Sequence, residues 1–520
     1  MVDAISGIHR SSHAALVGVV IVDEPPRHER TDVCSRQGGG LWRYMARWDR
    51  LLAARLSGRV VGSDLTQPCA INEWQRQLDG TPVERASGGR VMQSVRRLQP
   101  EIVLDLSREM STTQALAGTS RWTISLGAGT PTILPGLQEW GAKLDISRVG
   151  LWEDTGQDER SLLRSATVRI DQLSPHVAAN SLCAHAVELV FDQLRTGSGV
   201  AQPCRGVFPG DSRHEPPHPS VGPVLAFIRW ATQIVHILFQ RLWRRDSWRI
   251  LLTRSTDALG ASGLANGQHL GGPGHLLADP HLVTKDDSVY LFAEEASRLP
   301  GERRLKGRIA VATLTNAPDS RLEFETALEL PIHCSFPFVF QAGSDWLMAP
   351  ETSQDRAVRL YRATTWPTEW VLDCTLLDGA PYVDPVLLHH ANRWWLFVAR
   401  PTYAGGSADV LELFVSTEVR GPWTPHPQSP IVRDIRCARP AGSILVVDGV
   451  LIRPGQDGSA RYGSAVRHMR IERLTPTEYA ETEHSTVAPD WDETLTGLHS
   501  WSVSSGWKAV DIGLKESRWR

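Results

Sequence analysis

Cysteine is sparse and unpatterned. Seven residues (Cys34, Cys69, Cys183, Cys204, Cys334, Cys374 and Cys437), an odd number without a CxxC pair, imply neither a disulfide framework nor a zinc knuckle. A reducing, cytoplasmic location is the expectation. An excess of charge of one sign is also missing: 55 Lys and Arg oppose 58 Asp and Glu, for a net charge of −3. Nothing in that balance supplies a field for nucleic acid, which is excluded as an expected partner. No uninterrupted apolar stretch reaches about 18 residues, so no membrane-spanning helix is expected. The N-terminal apolar run from Ala14 to Val22 ends in Asp-Glu, where a secretory signal would have small residues, and reads as a buried strand.

Tyrosine is scarce as well, with 7 residues against 11 Phe and 19 Trp, a set that suits β-rich cores and sugar-stacking surfaces. Apolar residues at 41% and charged residues at 22% allow a buried core over most of the 520 residues. At roughly 150 residues per domain, that length means two large units or three to four smaller ones.

Three parts follow from the pattern. Residues 1–197 alternate strand-like segments, LVGVVIVDE (16–24), EIVLDLS (101–107) and WTISLGA (122–128), with a helical spacing at 90–99. This predicts an α/β, Rossmann-like domain with a parallel sheet. Residues 198–246 comprise a Pro/Gly/His-rich linker and an apolar helix that ends in Arg241, Arg244 and Arg245. The segment 223–248 packs between domains or lies on an anionic membrane, peripheral to its inner face, and both readings stay open.

Residues 247–520 carry a repeat. DPHLVTKDDSVYLFAEE (279–295), FPFVFQAGSDWLMAPET (336–352), DPVLLHHANRWWLFVAR (384–400) and RPAGSILVVDGVLIRPGQD (439–457) each run from an X-Pro step through an apolar strand and a polar turn into a second strand. The prolines at 280, 337, 385 and 440 stand 57, 48 and 55 residues apart, the length of one four-stranded propeller blade. Strand-like segments at 247–255 and 495–513 complete an all-β, five-bladed propeller as a closing blade. Equivalent repeat positions then converge on a central funnel. The start positions are Asp279, the Ser335-Phe336 region, Asp384 and Arg439; the end positions are Glu294 or Glu295, Glu351, Arg400, and Gln456 or Asp457.

This last part resembles the five-bladed propeller superfamily of glycoside hydrolases. It is more closely similar to the propeller module of glucosamine inositolphosphorylceramide transferases. The residues that carry the resemblance include ADPHLV (278–283), YLFAEE (290–295), MAPETS (348–353), VDPVLLHHANRWWLFVAR (383–400) and ARPAGSILVVDGVLIRPGQDGSARYG (438–463). The resemblance implies catalytic roles for three carboxylates: Asp279 as general base or nucleophile, Glu351 as general acid, and Asp384 positioning the sugar or tuning the acid. Glu295, His333, Arg400, Arg439 and Asp457 form the expected substrate-binding set, the cations serving hydroxyls or an anionic group. The order Asp, Glu, Asp departs from the hydrolases' Asp, Asp, Glu. In the transferases the transfer chemistry belongs to a later module that this chain lacks, so binding a glycan without cleaving it is an alternative to hydrolysis or transfer. An accessory role in surface-glycan or glycolipid assembly is the corresponding non-enzymatic function.

Residues 1–197 weakly resemble the formyltransferase fold, through PEIVLDLS (100–107), WTISLGAGTPTILPGLQEW (122–140) and VGLWEDTGQDERSLLRS (149–165). That family surrounds the attacking amine with Asn, His and Asp. Ser125, Leu126 and Gly127 stand at the equivalent strand end, and Asp158 or Asp154 matches the later acid. Without the His the resemblance implies an eroded domain, with N-formyl transfer to an amino sugar as the remaining alternative. The glycines at 38–40 and 260–274 lack the context of a phosphate loop. His389 and His390 are adjacent and so point to opposite faces of a strand. No metal and no cofactor is expected.

Overall fold

The structure is a computed structural model, which describes residues 19–22, 83–86, 102–105, 120–127, 136–154, 160–196, 223–272, 275–297, 306–314, 322–402 and 406–517. The chain divides into two compact units, one built mainly from residues 1–202 and 209–234, the other mainly from 235–402 and 406–520.

In the first unit β1 (Val19–Val22) pairs in parallel with β2 (Val83–Ala86). A second sheet has the order β3 (Ile102–Asp105), β4 (Ser120–Leu126), β5 (Ile146–Asp154) and β6 (Arg160–Arg169). Only β3 and β4 are parallel in it; β4–β5 and β5–β6 are antiparallel. The second sheet is therefore mixed where a parallel one was expected, and the five residues between Asp154 and Arg160 are too few for a crossover. Helix α1 (Leu137–Ala142) precedes β5. Helix α2 (Pro175–Thr196) begins at a built N-cap: Ser174 Oγ accepts from the Val177 N–H, and Pro175 takes the first helical position, where its missing N–H costs nothing. Its face of Ala178, Leu182, Ala186 and Leu189 is buried on this sheet's core. The expected helix at 90–99 and Asp158 lie outside the described residues.

Helix α3 (Pro223–Trp243) buries Trp230 among Phe227, Ala231 and Ile234, while Val224, Leu225, Ile228, Val235, Phe239, Leu242 and Trp243 are exposed. Among the described residues no helix is long and apolar enough to cross a membrane.

The second unit is propeller-like β-sheet. Four antiparallel four-stranded meanders follow one another: β9 (Leu276–Lys285) to β12 (Glu325–Leu328), β13 (Ser335–Ala342) to β16 (Glu369–Asp378), β17 (Val383–His390) to β20 (Thr424–Pro425), and β21 (Leu445–Val447) to β24 (Tyr479–Val487). A fifth sheet joins the two ends of the unit. Its β27 (Trp507–Ser517) pairs with β26 (Trp501–Ser504) and β25 (Leu495–Gly497) on one side and with β7 (Arg244–Arg254) on the other, with β8 (Gln268–Leu270) outermost.

The first two strands of every sheet, or β26 and β27 in the fifth, meet in a two-residue hairpin turn: 286–287, 343–344, 391–392, 448–449 and 505–506. Asp286, Gly343, Ala391, Asp448 and Ser505, the first central residues, all have positive φ, as mirror-image hairpin turns require. Three of the X-Pro steps turn out to be β-bulges. Opposite one residue of the second strand stand Asp279-Pro280, Phe336-Pro337 and Asp384-Pro385. Proline is tolerated there because a bulge leaves its residue out of the ladder. The residue before it pays: Asp279, Phe336 and Asp384 have φ of 50°, 46° and 49°, where non-glycine residues are strained.

Ile250, fully buried on β7 opposite Asp511, tests the closing sheet. Ile250→Ala is expected to cost about 2–5 kcal/mol, read as a lowered denaturant midpoint of one cooperative transition for the second unit. An unchanged midpoint would mean that β7 does not hold that unit together.

Candidate functional site

Every inner hairpin aims alternate residues to one side, so the register decides which side chains meet. Asp279, Phe336 and Asp384 each stand seven residues before the first residue of their turn; Glu294, Glu351, Ala399 and Gln456 each stand seven residues after the second. Asp511 has the same parity on β27, one step beyond the Trp501–Val510 pair.

Two ionic groups form around the bulged aspartates. Asp279 Oδ1 accepts from Ser500 Oγ at 2.9 Å and lies 3.1 Å from His499 Nε2, while its Oδ2 accepts from the Phe336 N–H at 3.3 Å. On the other side of the imidazole, His499 Nδ1 stands 3.0 Å from Asp511 Oδ2. Asp511 also accepts the N–H groups of His499 and Ser500 through Oδ1, and that of Asp279 through Oδ2. In the second group Asp384 Oδ2 accepts from Arg439 Nε at 2.5 Å and from Gln456 Nε2 at 2.9 Å. The same guanidinium reaches Glu351 Oε2 at 3.6 Å.

Charge is sorted sharply across these groups. Burial disfavours ionisation of Asp279, but His499 and Arg439 hold it below the usual carboxylate range. Burial likewise opposes the His499 cation, and Asp511 and Asp279 outweigh it, raising the imidazole to about 10. Glu351 is different: burial, then the charge of Asp384, push it up to about 8. Burial and the charges of Asp279 and Glu351 keep Glu294 well above its ordinary value. Glu351 Oε1 accepts from Ser353 Oγ at 2.8 Å, and its buried Oε2 has no hydrogen-bond partner. The site thus holds ionised and protonated carboxyls side by side, the arrangement that divides acid from base.

Atoms of Asp279, His499 and Asp511 lie within 4.8 Å of one another, close enough to hold a metal ion. Both imidazole nitrogens already face carboxylate oxygens, which suits an ion-pair lattice, and a cation held there would have to displace the imidazole proton.

Of the residues expected from sequence, Asp279, Glu351, Asp384 and Arg439 meet in this cluster. His333 borders it, with Nε2 3.5 Å from Glu294 Oε1 and Nδ1 accepting from the Gly307 N–H at 3.0 Å. Glu295, Arg400 and Asp457 have other partners. Glu295 pairs with Arg308 at 2.7 Å and His275 at 2.6 Å, Arg400 with Glu412 at 2.6 Å, and Asp457 with Arg467 at 2.7 Å. Each is one residue beyond the inward register position, and that single step reverses the face. Glu294 and Gln456, the neighbours left open by the repeat, are the ones that reach the cluster. His499, Ser500, Asp511 and Tyr462 were not anticipated. For Asp511 a signal existed, since WKAVD (507–511) repeats the apolar-run-then-acid pattern of YLFAE and WLMAPE. His389 and His390 are exposed at the end of β17, the former 4.9 Å from the Trp394 ring. In the first unit, Ser125 at the end of β4 accepts from Trp152 Nε1 at 2.9 Å.

Residues 262–515 match the family model described as glucosamine inositolphosphorylceramide transferase 1, N-terminal. Proteins named glucosamine inositolphosphorylceramide transferase 1 are also similar: that of Oryza sativa subsp. japonica is 34% identical over 258 residues, 47% of this chain and 34% of the relative, and that of Arabidopsis thaliana is 32% identical over 266 residues, 51% of this chain and 33% of the relative. The match thus spans about a third of each relative. Among solved structures, the RS223 β-xylosidase has 10% identity and a TM-score of 0.36 over 47% of this chain and 93% of that one. Zg3597, a family 117 glycoside hydrolase of Zobellia galactanivorans, has 10% identity and a TM-score of 0.35 over 51% and 90%.

The protonation of Glu351 has a measurable sign. Its folded pKa of about 8 exceeds the ordinary value of 4.5. The folded state therefore keeps a proton that the unfolded state loses, and stability falls as pH rises between those values. Relative to Glu351→Gln, the wild type should lose up to about 1.4 kcal/mol per pH unit from about pH 5 to pH 8, measured by denaturant melts. A flat difference would mean that Glu351 is ionised in the folded protein.

Proposed function

We propose that residues 244–517 form a five-bladed propeller whose central site binds a carbohydrate and acts on its glycosidic bond. The observation that carries this reading is geometric: the buried Glu351 carboxyl, one oxygen bonded by Ser353 and the other 3.6 Å from Arg439, shares that guanidinium with Asp384 in the cluster that also holds Asp279. Burial and the charge of Asp384 oppose ionisation of Glu351, whereas His499 and Arg439 favour it at Asp279. Glycosidic cleavage needs such a pair, one acid to protonate the leaving oxygen and one base to activate water or attack the sugar. Glu351 is the proton donor. Asp279, kept ionised by His499 and Ser500, is the base or nucleophile. Asp384 tunes Glu351, since its charge is the main electrostatic push on that acid, and it aligns Arg439 through two contacts. Arg439, His333 and Glu294 line the place for sugar hydroxyls. The relatives' names, which join glucosamine to inositolphosphorylceramide, support a glycan or glycolipid as the ligand.

Glu351→Gln keeps the shape and removes the proton, so turnover of a glycoside panel should fall about 10²–10⁴-fold with binding retained. Asp279→Asn should do the same. Full turnover in both variants would overturn the catalytic assignment. Binding by the wild type with no cleavage of any glycoside would leave a glycan-binding module, the non-catalytic alternative.

A second reading concerns α3, whose exposed Val224, Ile228, Val235, Phe239 and Leu242 recur at helical spacing, with Arg241 in its last turn and Arg244 and Arg245 following at the start of β7. We propose that this face lies on an anionic membrane. Co-sedimentation should be stronger with phosphatidylcholine vesicles containing phosphatidylserine than without. It should weaken about fivefold for each of the three arginines changed to Gln, at about 1 kcal/mol apiece. Equal sedimentation of wild type and triple variant would refute membrane docking through these cations.

A further inference from the structure

Tyr462 is 47% exposed although it sits against buried, charged groups of the site. It lies between β22 (Val450–Asp457) and β23 (Ala465–Leu474), outside the repeated hairpins. Its ring centroid is 4.9 Å from that of His499, and the Arg439 guanidinium stands 5.2 Å from it. Arg439 bonds Asp384 and His499 stands against Asp279, so the ring is one contact away from two of the site's carboxylates. An aromatic ring open to solvent, yet within electrostatic reach of the site's carboxylates, borders the place where a ligand would enter.

The ring's seat is built. Trp248 meets Tyr462 edge-on at 5.8 Å and His499 at 4.3 Å. Three glycines make room for that indole: a Cβ at Gly463, Gly497 or Gly513 would stand 3.0, 2.7 or 3.2 Å from the tip of Trp248. Gly463, which follows the tyrosine, also has φ of +63° and would put a Cβ 2.8 Å from that of His499. Side-chain-free backbone thus lets the Tyr462 loop close onto Trp248 and His499, and the ring is fixed before any ligand arrives. Preorganisation of this kind saves the ordering cost of binding.

We infer that Tyr462 is the platform on which a sugar ring stacks at the mouth of the site, and so a specificity-determining residue. The inference rests on the carbohydrate reading above. A pyranose presents a face of C–H groups whose partial positive charge suits the negative face of an aromatic ring, while its edge carries the hydroxyls. With that face on Tyr462, the edge turns toward Arg439 and the carboxylates. A planar or acyclic solute lacks this pairing.

Calorimetric titration of the full chain with methyl glycosides of glucose, galactose, xylose and glucosamine tests it. For the tightest of them, Tyr462→Ala should weaken Kd about 10-fold, corresponding to about 1.4 kcal/mol. Tyr462→Phe, which keeps the ring, should stay within about threefold of the wild type. Asp384→Asn should lose the binding. Because the side chain is half exposed, Tyr462→Ala should keep the wild-type melting midpoint. Wild-type affinity in Tyr462→Ala, with binding lost in Asp384→Asn, would overturn the platform and leave the carbohydrate reading standing. A loss in Tyr462→Phe equal to that in Tyr462→Ala would overturn stacking in favour of the hydroxyl. If none of the glycosides binds the wild type, the carbohydrate reading falls and the platform with it.

Discussion

Five carboxyl groups converge where the second unit's inner strands meet, and Arg439 and His499 are the cations that balance them. If Asp279, Glu294, Glu351, Asp384 and Asp511 were all ionised, their mutual repulsion in a buried setting would be prohibitive. The site resolves this by position. Asp279 and Asp511 share the His499 imidazole, Asp384 takes the closest contacts of the Arg439 guanidinium while Glu351 has a longer one, and burial with the neighbouring carboxylate charges opposes ionisation of Glu294 and Glu351. The chemistry proposed for the site is a consequence of that allocation. A carboxyl becomes a proton donor because burial and the charge beside it oppose its ionisation more than the shared guanidinium favours it.

The backbone cost of this arrangement is paid at the bulges. Asp279 and Asp384 adopt left-handed φ just before a proline, a combination with no local benefit. The bulge turns each aspartate out of the ladder and toward its cation, and the proline fits because no ladder hydrogen bond is required of it. Phe336 has the same geometry with no charge to place. Its N–H instead donates to Asp279, so the second sheet contributes a backbone donor where the first and third contribute acids.

Much of this was legible in the chain. The X-Pro steps and polar turns located the hairpins, and the apolar strands between them fixed the first four sheets. Reading the prolines as strand starts was incomplete, because three of them mark bulges. Side-chain parity explains the rest. Counting from the turn, rather than along the quoted segment, selects Glu294 over Glu295 and Gln456 over Asp457, and it puts Ala399 where Arg400 was expected. A period of two makes a one-residue error equivalent to choosing the wrong face. His499 and Ser500 escaped because the closing sheet has no X-Pro step to align, and Tyr462 because loops carry no period.

The closing sheet also explains why the cations and the acids come from distant parts of the chain. Asp511 lies on β27, which pairs with β7 at the other end of the unit, and His499 and Ser500 lie in the loop between β25 and β26, whose strands pair with β27. Ser500 and Asp511 bond Asp279 from 221 and 232 residues away. Assembly of the site and closure of the unit are therefore one event: the ionic contacts of Asp279 with His499 and Asp511 form only when the last strands dock. A buried pair of this kind adds little net stability, so its value lies in fixing which carboxyl is charged.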